Sequence, residues 1–194
     1  MDSIVVPGSL AWGLPAMSSQ YDDAHERDFA LLFEEFSAPI YNYVLRMVGD
    51  HDRAADITQD TFIKAYKKLD TVAEATSTRS WLYRIATNTA IDDMRRRRNV
   101  TTMSDDQPVF ANRADHRPGP EAQVMAATLD ERVQRALQSL RPNHRQCLLL
   151  SDLEDMSAQQ IGEIMGLSYG AVRTLLCRAR GEMRRALAAE GFAR

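Results

Sequence analysis

Apolar residues in this 194-residue chain recur at steps of three and four in two separate stretches, and nowhere do they alternate in twos. Such spacing lines one face of a helix and excludes half-buried strands. From Phe29 the stripe reads Phe29, Phe33, Phe36, Ile40, Tyr43, Val44 and Met47. Pro39 interrupts it and is expected to bend or split the helix, because proline removes a backbone donor and crowds the preceding turn. Gly49 and Asp50 end the segment, and Asp50 or Asp52 is placed to cap a second helix. That helix is expected to reach about Leu69, with Ile57, Phe62, Tyr66 and Leu69 facing inward. After a polar, threonine-rich loop at Thr71–Thr78, a third helix puts Trp81, Leu82, Ile85, Ala86 and Thr89 on one face and ends in arginines.

Thr101–Pro120 breaks the pattern with three prolines, a glycine and mostly polar residues, too little apolar surface to order itself. Helical spacing resumes with Val124, Leu129, Val133, Leu137 and Leu140, and Pro142 opens a further helix containing Cys147, Leu148 and Leu149. The predicted fold is all-α: two small helical domains, residues 25–98 and 124–194, joined by a flexible linker at 99–123. Residues 1–24 read as a flexible extension, with Met17 an alternative start. Met1–Gln20 has no basic n-region, and Trp12, Gly13 and Pro15 interrupt it, so a secretory signal is not expected.

The composition bounds the chemistry. Hydrophobic residues make up 44% and charged residues 26% of the chain, as in ordinary globular proteins. No apolar run is long enough for a membrane span, so no membrane insertion is expected. Cys147 and Cys177 stand singly and His25, His51, His116 and His144 are scattered, so neither a disulfide framework nor a metal site is expected. No nucleophile–base pair or phosphate-binding glycine loop appears. The reading is therefore not an enzyme, with no cofactor, in a reducing cytoplasm.

A net charge of −3 is unusual for a DNA-binding protein, but the charges are segregated. Arg95–Arg98 is an unbroken basic run, and Arg173, Arg178, Arg180, Arg184 and Arg185 crowd the C-terminal segment. Acids gather around Asp22–Asp23, Glu34–Glu35 and Asp50–Asp60. Patches of opposite sign imply different partners for different faces.

Near the C-terminus, Ser157-Ala-Gln-Gln160 forms a capping box that opens a short helix bearing Ile161, Ile164 and Met165. Gly166 supplies a left-handed turn, Leu167 is expected to plug the angle between helices, and Ser168 caps a second helix running to about Leu187. A short helix, a glycine turn and a longer basic helix make a helix-turn-helix. At 100° per residue, Val172, Leu175, Leu176, Ala179 and Met183 share the inner side, while Gly170, Arg173, Thr174, Cys177, Arg178, Arg184 and Arg185 lie outside. Small residues and arginines suit a major groove, and arginines further along reach phosphates. The competing reading is a solvated amphipathic helix in a bundle.

In the N-terminal stretch, Asp56, Gln59 and Asp60 share one helix face by their spacing, which taken alone is also a solvated acidic face. The third helix, Arg79-Ser-Trp-Leu-Tyr-Arg-Ile-Ala-Thr-Asn-Thr-Ala-Ile-Asp92, mixes aromatics, cations and an asparagine in the manner of surfaces that hold unstacked bases. Trp81 serves equally well as core, and Arg95–Arg98 as a solvated helix end favoured by the dipole.

Together these segments resemble a known family. AADITQDTFIKAYKKL followed by SWLYRIATNTAIDDMRRRR resembles regions 2.2 to 2.4 of the extracytoplasmic-function (ECF) sigma factors of RNA polymerase. SAQQIGEIMGLSYGAVRTLLCRAR resembles their region 4.2, commonly written EIAxxLGxxxGTVKSRLxRAR. The resemblance implies a sigma region 2 bundle and a sigma region 4 helix-turn-helix. It implies that Asp56, Gln59, Asp60 and Phe62 bind the β′ clamp helices of the polymerase core, and that region 4 meets the β flap. Arg79, Tyr83, Arg84, Asn88 and Asp92, with the loop before them, would capture bases of the −10 element flipped from promoter DNA, while Arg95 and Arg96 hold phosphates. Ser168, Tyr169, Gly170, Arg173, Thr174 and Arg178 would read the −35 element. The linker would thread toward the active-site cleft or RNA exit path, and an anti-sigma factor would keep the protein silent.

The chain departs from the family at three positions. Gly162 stands where alanine is usual, a mild helix penalty. Leu175 replaces the arginine of the KSR triplet, and Cys177 a frequent histidine on the outward face. The principal rival is a stand-alone helix-turn-helix regulator that binds duplex operators as a dimer and leaves the Trp81–Arg98 helix without a purpose.

Overall fold

The first helix, α1, runs unbroken over Asp23–Val48 with Pro39 inside it. The expected split does not occur, because the turns that follow the proline are anchored. Ile40, Tyr43, Val44 and Met47 are fully buried, and burying each such side chain contributes roughly 1.5–3 kcal/mol against the roughly 3 kcal/mol that an interior proline costs. The predicted stripe shifts at its N-terminal end. Leu32 is buried while Phe33 is 38% exposed, since a period of 3.6 carries Phe33 to the stripe's edge. There its ring meets Phe62 edge-on at 4.9 Å.

The structure, a computed structural model, describes residues 23–69, 77–101 and 131–192. Helices α2 (His51–Tyr66) and α3 (Thr78–Thr101) complete an N-terminal three-helix unit with α1. A C-terminal unit follows: α4 (131–139), α5 (Pro142–Asp152), α6 (Ala158–Met165) and α7 (Tyr169–Ala189). No strand occurs among the described residues. The all-α expectation holds. Most of the linker, the loop at 70–76, and Val124 and Leu129 lie outside the described residues.

Local signals set the boundaries. Gly49 takes φ 75°, which glycine adopts without strain, and its N–H closes α1 on the Leu45 carbonyl at 2.8 Å. Asp50, rather than Asp52, caps α2 by accepting from the Arg53 N–H at 2.8 Å. Helix α2 stops at Tyr66, short of Leu69, in a turn where exposed Lys67 and Lys68 offer nothing to bury. Pro142 begins α5, where its missing donor costs nothing.

The two units touch, α1 against α5 and α3 against α6, and the buried apolar residues form one continuous cluster through both. In the N-terminal unit the Tyr43 and Tyr83 rings meet edge-on at 5.3 Å, and the Tyr43 hydroxyl shares a 2.8 Å hydrogen bond with that of Thr87. In the C-terminal unit Leu148, Leu149, Leu150, Ile161, Val172 and Leu176 form the centre.

Candidate nucleic-acid interface

Three surfaces carry the predicted residues. On α2, Asp56, Gln59 and Asp60 are all exposed and project from one face. Phe62 does not join them. It is 3% exposed and packs against Phe29 and Phe33, because its position in the turn falls on the apolar side of the helix. The exposed apolar neighbour on this helix is Ile63. Behind the acidic face, Arg53 donates to Asp93 at 2.5 Å and 3.1 Å, tying α2 to α3. Asp93 also lies 3.9 Å from Arg96 and 3.7 Å from Arg97. One carboxylate thus joins the acidic helix to the root of the arginine run.

On α3, Arg84, Asn88, Asp92 and Arg95 form an exposed stripe at helical spacing, with Arg96 beside it. Trp81 and Ile85 are half-buried and Leu82, Ala86 and Thr89 buried, so the inward face is as the periodicity predicts. Tyr83 departs from the stripe, being fully buried. Its hydroxyl donates to the Glu154 carboxylate of the C-terminal unit, and burial together with that bond pushes its pKa well above the usual phenol range. Arg79, half-buried, donates to the Glu154 carbonyl at 2.7 Å and to its carboxylate at 3.2 Å.

On α6 and α7 the motif is built as its residues dictate. Ser157 accepts from the Gln160 N–H at 3.3 Å and Gln160 accepts from the Ser157 N–H at 2.9 Å, both halves of the capping box. Gly166 takes φ 67° and ψ 34°, the left-handed turn. Leu167 is 38% exposed and therefore only partly fills the angle between helices. Gly162 is buried under that turn, and its carbonyl accepts from the Leu167 N–H at 2.9 Å. Its lack of a side chain serves close packing, which the helix-propensity argument overlooked.

Ser168 caps α7 by accepting from the Ala171 N–H at 3.3 Å, so its hydroxyl is engaged at the start of the helix. Tyr169, Gly170, Arg173, Thr174, Cys177 and Arg178 are exposed, as the wheel requires, while Val172, Leu176 and Ala179 are buried and Leu175 half-buried. The Arg173 guanidinium sits 5.8 Å from the centre of the Tyr169 ring, which holds it at the open end of the helix. Arg180, by contrast, is turned back onto Asp152 at 2.6 Å and Ser151 at 3.1 Å. Burial works against ionisation of Asp152, but its bonds from Arg180 and Ser151 outweigh that and hold it below the usual carboxylate range.

Residues that the sequence did not single out join the two units. Gln134 donates to the Leu45 and Arg46 carbonyls at 3.4 Å and 3.2 Å, and Gln138 to Arg46 and Met47 at 3.1 Å and 3.4 Å. Arg145 is buried and donates to Met47, Gln138 and Leu140, and burial lowers its pKa to about 10. Glutamine and arginine on an amphipathic pattern give no local sign of this role. Beside it, Val133, Leu137, Leu148, Leu149, Met183 and Leu187 line an apolar cleft between α4, α5 and α7. No cluster of metal-ligating side chains occurs among the described residues.

Comparison with known proteins agrees with this layout. The family model for Sigma-70 region 2 matches residues 32–100, and that for Sigma-70, region 4 matches residues 130–183. The chain is 31% identical over 163 residues to RNA polymerase sigma factor YlaC of Bacillus subtilis, covering 83% of this chain and 92% of that protein. It is 29% identical over 184 residues to ECF RNA polymerase sigma factor SigE of Mycolicibacterium smegmatis, covering 95% of this chain and 71% of that one. In fold it is similar to the sigma factor RpoE of Bartonella quintana, solved in complex with the anti-sigma factor NepR, with a TM-score of 0.67 and 22% identity over 84% of this chain and 98% of that one. CnrH, solved with the cytosolic domain of CnrY, gives a TM-score of 0.63 and 24% identity over 84% and 90% of the two chains. These relatives favour the sigma factor over the stand-alone operator-binding regulator. With a region 2 unit and a region 4 helix-turn-helix in that order, and with relatives of this kind along most of its length, the chain belongs to the ECF sigma factors of the sigma-70 type.

Proposed function

We propose that this sigma factor grips the polymerase core through the acidic face of α2, takes −10 bases on the exposed stripe of α3, and reads the −35 element with the N-terminal turns of α7. The observation that carries the reading is the separation of the three surfaces by charge and by element. Asp56, Gln59 and Asp60 are exposed on one helix, Arg84, Asn88, Asp92, Arg95 and Arg96 on a second, and Tyr169, Gly170, Arg173, Thr174 and Arg178 on a third. Arg79 and Tyr83 belong to the −10 surface once their present acceptors are released. Phe62 acts from beneath, holding the aromatic cluster that shapes the α1–α2 surface, and Ser168 orients α7 through its cap.

A net acidic chain with small basic patches neutralises few phosphates and binds DNA weakly by itself. Docking on the core fixes both units at the span of the two promoter elements, so the second contact becomes intramolecular and gains effective concentration. Unstacked −10 bases then trap the melted duplex by differential binding. The apolar cleft between α4, α5 and α7 offers a place for a partner of the C-terminal unit, the β flap or an anti-sigma factor. The protein works in the cytoplasm, with residues 99–123 as the tether between 25–98 and 124–194. No helix among the described residues is long and apolar enough to cross a membrane.

Run-off transcription with purified core polymerase, the full chain and host promoter DNA tests the reading. Defined transcripts that vanish without the chain are expected, and mapping their start sites gives both elements. Absence of any such transcript would overturn the assignment, and tight sequence-specific duplex binding without polymerase would favour the operator-binding regulator.

A further inference from the structure

Three donors that the promoter surface of α3 requires are already engaged within the chain. Arg79 binds the Glu154 carbonyl and carboxylate, Tyr83 binds the same carboxylate, and Arg84 donates to the Glu163 carbonyl at 2.5 Å. All the acceptors come from the segment that leads out of α5 and along α6. They are oxygen acceptors, one of them anionic, the chemistry that phosphates and base carbonyls present to arginine and tyrosine.

Glu154 is set in place by backbone. Its N–H donates to the Leu149 carbonyl at 3.1 Å, the Met156 N–H donates to Leu150 at 3.0 Å, and Asp155 between them takes φ 50°, in the left-handed region. The carboxylate is 7% exposed, against a Tyr83 ring that is fully buried. A second contact fastens the units at their other end. Gln134, Gln138 and Arg145 satisfy the last carbonyls of α1, which have no partners within their own helix.

We propose that the C-terminal unit is an internal competitor for single-stranded −10 DNA, with Glu154 occupying the acceptor position that the nucleic acid takes on Arg79 and Tyr83. This rests on the promoter reading of α3. In the closed chain the −10 surface is masked by its own −35-reading unit, and polymerase core exposes it by drawing the units apart. Apparent DNA affinity of the free chain is reduced in proportion to the fraction that is open.

The test uses the full chain and a labelled single-stranded oligonucleotide carrying the −10 element mapped by run-off transcription, read by fluorescence anisotropy, with small-angle X-ray scattering in parallel. Glu154→Ala is expected to enlarge the radius of gyration and to tighten oligonucleotide binding about tenfold. Asp155→Asn removes one charge at the exposed neighbour and is expected to change affinity by less than about twofold, which separates unmasking from simple electrostatics. Should Glu154→Ala lose helicity, the double variant Gln134→Ala/Gln138→Ala opens the other contact and is expected to give the same expansion and tighter binding. An opened variant with unchanged affinity, or a parent chain already as extended as the variants, overturns the proposal. If transcripts appear normally while the variants bind no tighter, masking alone fails; if no promoter is transcribed, the promoter reading fails with it.

Discussion

Gly162 lies so close to the carbonyl oxygen of Leu167 that an added Cβ would stand 2.6 Å from it. The contact is with backbone, so the turn itself would have to move. Alanine would gain about 1 kcal/mol of helix propensity, but overpacking of this kind typically costs about 1–3 kcal/mol. Gly162→Ala is therefore expected to lower the melting temperature slightly, and Gly162→Val by several degrees more, with loss of −35 binding. An alanine variant that melts above its parent would show that the turn yields.

Asp60→Arg reverses the charge at the centre of the acidic face of α2. The residue is exposed, so the fold has nothing to lose. Retained helicity and melting temperature are expected, together with loss of co-purification with core polymerase. Normal recovery of the variant with the core would remove α2 from the contact.

The two thiols differ sharply in setting. Cys147 is fully buried and burial pushes its pKa up to about 11, whereas Cys177 is exposed on α7. Because the thiolate is the reacting form, a disulfide reagent at pH 8 is expected to titrate one thiol rapidly in the native chain and the second only on unfolding. Cys177→Ser should abolish the rapid phase. A rapid phase that survives would place Cys147 within reach of solvent.

His144 Nδ1 lies 2.6 Å from a Glu182 carboxylate oxygen, and that hydrogen bond holds the Glu182 pKa below the usual carboxylate value. A depressed carboxylate pKa contributes stability that is present above the unfolded value and is lost as pH falls through the folded one. Glu182→Gln is therefore expected to melt below the parent at neutral pH, with the difference closing as pH drops below about 4. Thermal melts of both proteins across that range check it, and a difference that grows in acid would reverse the assignment.

Features written in neighbouring residues were legible from sequence. The Ser157–Gln160 box, the Gly166 turn, the Ser168 and Asp50 caps and the two faces of α7 each depend on residues within one or two turns of each other. Pro39 misled because its penalty is local, whereas the burial of Ile40, Tyr43 and Met47 that overrides it is tertiary. Phe62 and Tyr83 were placed among partner contacts by resemblance, and the core and Glu154 claim them instead. The links between units were beyond reach for the same reason. Arg79 meets Glu154 across 75 positions and Arg145 meets Met47 across 98, with nothing in the local pattern around either partner to announce the pairing.

The end of α1 is finished by side chains that belong to the other half of the molecule. Whatever draws that half away leaves the carbonyls of Arg46 and Met47 to water, and a helix terminus so deprived frays. Directly beyond it lie Gly49 and Asp50, the elbow from which α2 sets out. Loosening at that elbow alters the heading of the helix that carries Asp56, Gln59 and Asp60, so capture of the chain by polymerase and parting of its halves are mechanically joined through a single frayed turn.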